Sequence, residues 1–305
     1  MKNMPSIMAS EVLEYLGRYV DENGPTITPA PKGSLCPFSG NECSKVNRKN
    51  PQHPVCTIKS NGKAWIVCKD RLCATSGAVI NSYQKIILLQ IGRVAAQSQI
   101  SSDDIIFSRE RPIKVPNAAS YRADYVMVIK PNTPRALKLV IEMQGGGETS
   151  NTGDITKIVA NWAELGSSRR NSDLIRASNK ASPIPANAWR RQQEQFMVKG
   201  RVAVRSGGRL VFCIGELLFD YLQSKISNTP PIDLSRGNWT LCLISIKTNA
   251  SEAGSPLSIS VDNSRTLFTD YDAFVRTITS VGGVDEDLFK PPFETLDGEH
   301  WVKEV

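Results

Sequence analysis

Apolar and polar positions alternate most sharply over "LKLVIEMQ", Leu137 to Gln144. Successive side chains of a strand take opposite faces, so Leu137, Leu139, Ile141 and Met143 share one face and Val140, Glu142 and Gln144 the other. The run predicts a buried central strand, since β-branched Val and Ile stand between turn signals. Two strand patterns precede it, "DIIFSRERPIKV" and "YRADYVMVIK", and two follow, "RLVFCIG" and "WTLCLISI". Helical spacing marks "SYQKIILLQIGRVAAQ", the series Ile155, Ile158, Val159, Trp162 and Leu165 after Asp154, and "ELLFDYLQSK". Val12, Leu13, Leu16, Tyr19 and Val20 predict a further helix between Ser10 and "DENGP". The order implies an α/β fold, a mixed central sheet flanked by helices.

Glu142 is out of place in such a strand, because an unpaired buried carboxylate costs several kcal/mol. A lysine or arginine could hold it. So could a divalent cation at the C-terminal end of the strand, where Gly145, Gly146 and Gly147 would leave room for a ligand.

Composition adds a partner class. The 305 residues are 40% hydrophobic and 22% charged, which suits a globular fold rather than a disordered chain. The net charge of +7 is concentrated in "SSRRNSDLIRASNK" and "WRRQQEQFMVKGRVAVRSGGR", a basic middle suited to a polyanion such as nucleic acid. The N-terminal residues lack the features of a secretory signal, and no apolar run approaches the ~18 residues of a membrane span, so a cytoplasmic protein is expected.

In that compartment cysteines serve as thiols or metal ligands rather than disulfides. Cys36, Cys43, Cys56, Cys68 and Cys73 fall in a polar segment, Thr26 to Gly77, that has too little apolar content for a core of its own. A thiolate-bound Zn or Fe would offset that deficit, with His53 a conceivable substitute ligand; scattered free thiols are the alternative. The spacing contains no CxxC pair, so it is not that of an ordinary finger or ribbon.

Asp124 lies near the start of "YRADYVMVIK", and a hairpin would set it beside Glu142. Hard oxygen ligands of this kind suit Mg²⁺, which can polarise a phosphate and activate water. The alternative is a structural acid paired with Arg122 or another cation. Taken together, an Asp, an apolar strand carrying E-x-Q and an amphipathic helix resemble the PD-(D/E)xK nuclease superfamily, whose last position is usually Lys. With "CPFSG", "VCTI", "VCKDR", "YRADYV" and "IEMQ" in that order, the chain resembles the NotI group of type II restriction endonucleases, to which the shorter EagI belongs. The resemblance covers Cys36 to about Lys199.

This resemblance implies a PD-(D/E)xK restriction-endonuclease-like core with a small N-terminal four-cysteine metal-binding module. The expected organisation is a helix over 1–25, the cysteine module over 26–77, and the catalytic core with DNA-recognition loops over 78–305. Asp124 and Glu142 would ligate the catalytic Mg²⁺ and Gln144 would position the attacking water. Cys36, Cys43, Cys56 and Cys68 would hold a structural Fe or Zn, apart from the reaction centre, with Cys73 outside the pattern. A homodimer acting on double-stranded DNA is implied, cutting a GC-rich palindrome such as CGGCCG. Arg169, Arg170, Arg176, Lys180, Arg190 and Arg191 follow the catalytic helix and are candidates for guanine or phosphate contacts. A non-catalytic DNA-binding protein and a repair or recombination nuclease are the competing expectations.

Overall fold

The computed structural model describes residues 10–46, 54–73, 75, 80–115, 120–147, 149–227, 230–249, 251–280, 290, 293–294 and 300–301. His53 and the side chain of Cys73 lie outside the described residues.

Residues assigned to an N-terminal helix form strands β1 (Glu11–Tyr15) and β2 (Arg18–Tyr19), joined by a two-residue turn at Leu16 and Gly17 with φ of 43° and 66°. Two consecutive left-handed residues match the twist of a tight hairpin, and glycine tolerates that backbone at no steric cost. The apolar spacing read as helical is thus the two arms of a hairpin. Strand β1 also pairs with β3 (Val55–Ser60), which pairs with β4 (Lys63–Ile66), giving an antiparallel sheet in the order β2-β1-β3-β4. The N-terminal segment and the cysteine segment therefore share one sheet. Its two halves are tied by Glu14, wholly buried, which accepts from Thr57 Oγ1 at 3.0 Å and pairs with Arg71 on the short helix α1 (Lys69–Cys73).

Helix α2 (Ser82–Ala96) begins at a capping box, Asn81 with Gln84, and leads into an antiparallel meander of β5 (Ile105–Ile113), β6 (Tyr121–Ile129) and β7 (Leu137–Gln144). Helices α3 (Thr152–Glu164), α4 (Asn171–Ile175) and α5 (Pro185–Arg205) follow. Strand β8 (Arg209–Gly215) then runs parallel to β7. After α6 (Glu216–Ile226), β9 (Leu241–Asn249) runs parallel to β8, and β10 (Ser258–Thr269) closes the sheet antiparallel before α7 (Tyr271–Thr279). The order is β10-β9-β8-β7-β6-β5, a mixed six-stranded sheet flanked by helices, as the sequence pattern requires. A short pair, β11 (Phe293–Glu294) and β12 (His300–Trp301), lies near the C-terminus.

Period two sorts the core. Tyr125, Met127, Leu139, Ile141, Val211 and Cys213 face α2, whose Ile87, Leu88 and Ile91 cover them. The opposite face presents Leu210, Phe212, Ile214 and Leu243 to Trp189 and Phe196 of α5 and to α6 and α7. Glu142 stands beside Phe212 in the parallel register, so it lies on the face that α5 covers. Among the described residues, no helix is long and apolar enough to cross a membrane.

Candidate active site

The β6–β7 ladder runs from Ile129↔Leu137 to Tyr125↔Ile141 and stops one residue short of Asp124 and Glu142. There side chains replace the backbone pairing. Met143 donates its N–H to Oδ2 of Asp124 at 2.8 Å, and Asp124 donates its N–H to Oε1 of Glu142 at 3.4 Å. The strands part, and the two carboxylates are held side by side in the gap. The hairpin expected from the sequence thus does bring them together.

Neither pairs with Arg122, whose guanidinium donates to the backbone oxygen of Glu110 at 3.0 Å. The cation is Lys199 of α5, with Nζ 2.6 Å from Oε2 of Glu142 and both side chains under 10% exposed. Burial pushes the Glu142 carboxyl up to about 8, helped by the charge of Asp124 and opposed by Lys199 and by the Asp124 N–H. Burial likewise raises Asp124, with Met143 N–H and Lys199 opposing and Glu110 adding to the rise. Glu110 stands opposite Asp124 on β5 with φ of 47°, and Thr75 Oγ1 donates to its carboxylate.

Gln144 is fixed at both ends of its amide. Its Nε2 donates to Gly146 O at 2.9 Å, and its Oε1 accepts from Nε2 of Gln192 on α5. The glycines after it border open space on one side and pack closely on the other. Gly146 bridges to Ile66 of β4, and a Cβ there would lie 2.7 Å from the Trp65 ring, so that space is filled by the N-terminal sheet. On the open side the three glycines line a cleft of about 490 Å³, together with Lys45, Cys68, Lys69, Gln144, Arg191 and Gln192. The cysteine segment, through Lys45, Cys68 and Lys69, is a wall of the cleft that Gln144 borders.

The basic candidates disperse. Arg191, exposed on α5, borders the cleft, and Arg190 is exposed on the next position of the same helix. Arg169 turns back onto α3, donating to Ala163 O at 3.1 Å and stacking over Trp162. Arg170 precedes α4, its carbonyl accepting from Trp162 Nε1 at 3.1 Å. Arg176 pairs with Asp173 at 3.5 Å, and Lys180 is exposed with its carbonyl bound to Asn151. Of the six, Arg191 alone borders the cleft with Gln144.

Sequence reasoning missed Lys199, Gln192 and Glu110. The first two lie in "WRRQQEQFMVKGRVAVR", read as a basic stretch. Its buried positions Trp189, Phe196, Lys199, Gly200 and Ala203 follow helical spacing with Lys199 among them, which is the available signal.

Cys36, Cys43, Cys56 and Cys68 are all buried, all free, and packed with Phe38 and Val46 in one cluster. Backbone N–H groups of Lys45 and Val46 point at the Cys43 sulfur, that of Asp70 at Cys68 and that of Gly17 at Cys56. Such donors favour thiolate, the metal-binding form, whereas burial raises these three thiols in the absence of a cation. The donor chemistry fits a soft metal. As the side chains stand, no group of three or more His, Cys, Asp and Glu among the described residues is in metal-holding geometry.

No protein-family model matches the chain, and no curated protein matches it.

Proposed function

We propose that the protein is a Mg²⁺-dependent endonuclease of the PD-(D/E)xK type, hydrolysing phosphodiester bonds of double-stranded DNA at a GC-rich palindrome as a homodimer. The observation that carries the reading is the pair Asp124 and Glu142, set together where β6 and β7 part. The mixed sheet flanked by helices and the basic cleft beside Gln144 are consistent with it.

Two carboxylates on neighbouring strands are hard oxygen donors of the kind Mg²⁺ takes together with waters and phosphate. A bound Mg²⁺ would polarise the scissile phosphate and make its water acidic. The chain's own groups divide the remaining work. Met143 N–H holds Oδ2 of Asp124, and Asp124 N–H and Lys199 hold Oε1 and Oε2 of Glu142, so both carboxylates have little freedom to lose on binding a cation. Gln144, clamped by Gln192 and Gly146, presents a neutral amide that can orient a water but brings no charge. Arg191, Lys45 and Lys69 give the cleft a positive rim for phosphates. Cys36, Cys43, Cys56 and Cys68 would hold a structural Fe or Zn, which would lock the wall that carries Lys45 and Lys69.

The test is incubation of purified protein with unmethylated linear DNA and Mg²⁺ against an EDTA control, followed by sequencing of fragment ends. Discrete fragments sharing a palindrome support the proposal. Intact DNA that the protein still binds in a gel shift would favour a non-catalytic DNA-binding protein, the reading that a plain Lys199–Glu142 ion pair would suit. Cleavage confined to branched or damaged DNA would favour a repair nuclease.

A further inference from the structure

Lys199 is costly where it sits. Its side chain is 3% exposed, and α5 delivers it between Phe196 and the Tyr271 contact at Gly200. A buried ammonium lowers stability unless it is paired and hydrogen-bonded, and an apolar residue of similar size would do the packing alone. Gly200 shows how closely the position is set: any Cβ there would overlap the Tyr271 ring, so the helix comes down on α7 at the residue next to Lys199.

The charge of the site indicates a use for this group. Asp124, Glu142 and a phosphodiester bring three negative charges against the two positive charges of a divalent cation, and more negative charge develops on the phosphate as the bond breaks. Gln144 and Gln192 are neutral, and Lys45, Lys69 and Arg191 lie along the cleft wall rather than on the carboxylates. Lys199 touches Glu142 directly, and its charge also acts on Asp124.

We propose that Lys199, delivered by α5 rather than by the strand carrying the E-x-Q motif, is the catalytic cation of this centre, its ammonium stabilising the negative charge that builds on the scissile phosphate. The assignment rests on the endonuclease reading. It differs from a structural ion pair in what removal would change. A structural pair would lower stability and leave the folded enzyme as fast as before. A catalytic cation would leave fold, DNA affinity and cation binding in place and slow the chemistry.

The experiment compares wild type, Lys199→Met, Lys199→Gln and Lys199→Arg. Folding is followed by circular dichroism, DNA binding by gel shift in Ca²⁺, Mn²⁺ binding by calorimetry without DNA, and cleavage by single-turnover rate in Mg²⁺. The expected result is that Lys199→Met folds, binds DNA within about twofold of wild type and binds Mn²⁺ at least as tightly, since a competing positive charge is gone, while cleavage slows on the order of 100-fold, the scale of one lost transition-state contact. Lys199→Arg should recover part of that rate. If the methionine variant does not fold, Lys199→Gln carries the same comparison. A folded neutral variant cleaving within threefold of wild type, or one whose slow cleavage is matched by lost Mn²⁺ or DNA binding, overturns the assignment. Wild type that binds Mn²⁺ and DNA but cuts nothing overturns the endonuclease reading, and this assignment with it.

Discussion

Met143 donates its backbone N–H to the side chain of Asp124 at 2.8 Å, in the place where a strand partner's carbonyl would ordinarily accept it. Asp124 is therefore both a candidate cation ligand and part of the sheet. An asparagine keeps the acceptor and loses the charge. Asp124→Asn is expected to melt within a few degrees of wild type while Mg²⁺-dependent cleavage falls by a factor on the order of 10³ or more, the scale of lost charge stabilisation in an active centre. Asp124→Ala is expected to lose stability as well, about 1–3 kcal/mol for the orphaned N–H. Thermal melts and cleavage rates of the two variants, read side by side, check this; an active Asp124→Asn enzyme would contradict it.

Glu142 gives a pH dependence whose sign is fixed. Its folded-state carboxyl lies at about 8 against an ordinary 4.5, so the folded protein holds a proton that the unfolded chain releases. Its contribution to the stability of the cation-free protein is then full at and below the lower value and is lost as pH rises towards 8, with each unit of separation worth about 1.4 kcal/mol at most. Asp124, also raised by burial, adds to the fall. Urea unfolding in EDTA at pH 5.5, 7 and 8.5 should show the decline, and Glu142→Gln should flatten it. A wild type that gains stability across this window would refute the assignment.

Metal content separates the buried cysteines. Cys36, Cys43, Cys56 and Cys68 cluster together, whereas Cys213 and Cys242 lie in the core beneath α2. Elemental analysis should find one Fe or Zn per chain. Serine at any of the first four should abolish that metal and weaken cleavage, because Cys68 and Gln144 border one cleft. Cys213→Ala should retain the metal.

Gln192 offers a milder perturbation. Its amide holds Oε1 of Gln144, so Gln192→Ala frees one end of that side chain without touching a carboxylate. Cleavage should fall on the order of tenfold with the Mg²⁺ requirement unchanged. A variant as fast as wild type would show that the clamp has no role in the reaction.

Much of this was legible in the sequence, and the limits have physical causes. Strands β5 to β9 and helices α2, α3 and α6 follow from strong period-two or helical patterns, because each buries one face against a common core. The hairpin of β1 and β2 escapes a local pattern because Leu16 and Gly17 reverse the chain within a spacing that also fits a helix. Helix α5 was hidden by its charge. In its basic run Lys199 reads like its solvated neighbours, and a partner 57 positions away is invisible to any local pattern. Asp124 and Glu142 could be paired because an antiparallel hairpin brings nearby segments together; Lys199 required the tertiary fold.

Helix α5 also behaves as a ruler. It carries Gln192 to Gln144 and Lys199 to Glu142, marks seven residues apart, which an α-helix sets about 10.5 Å apart on nearly one face. A ruler cannot be lengthened at one mark without moving the next. Inserting or deleting a single residue between Gln192 and Lys199 turns one mark about 100° away from its partner while leaving composition and charge almost unchanged. Evolution can therefore exchange the exposed side chains along this helix, but it can alter the length of this segment only at the expense of the whole constellation.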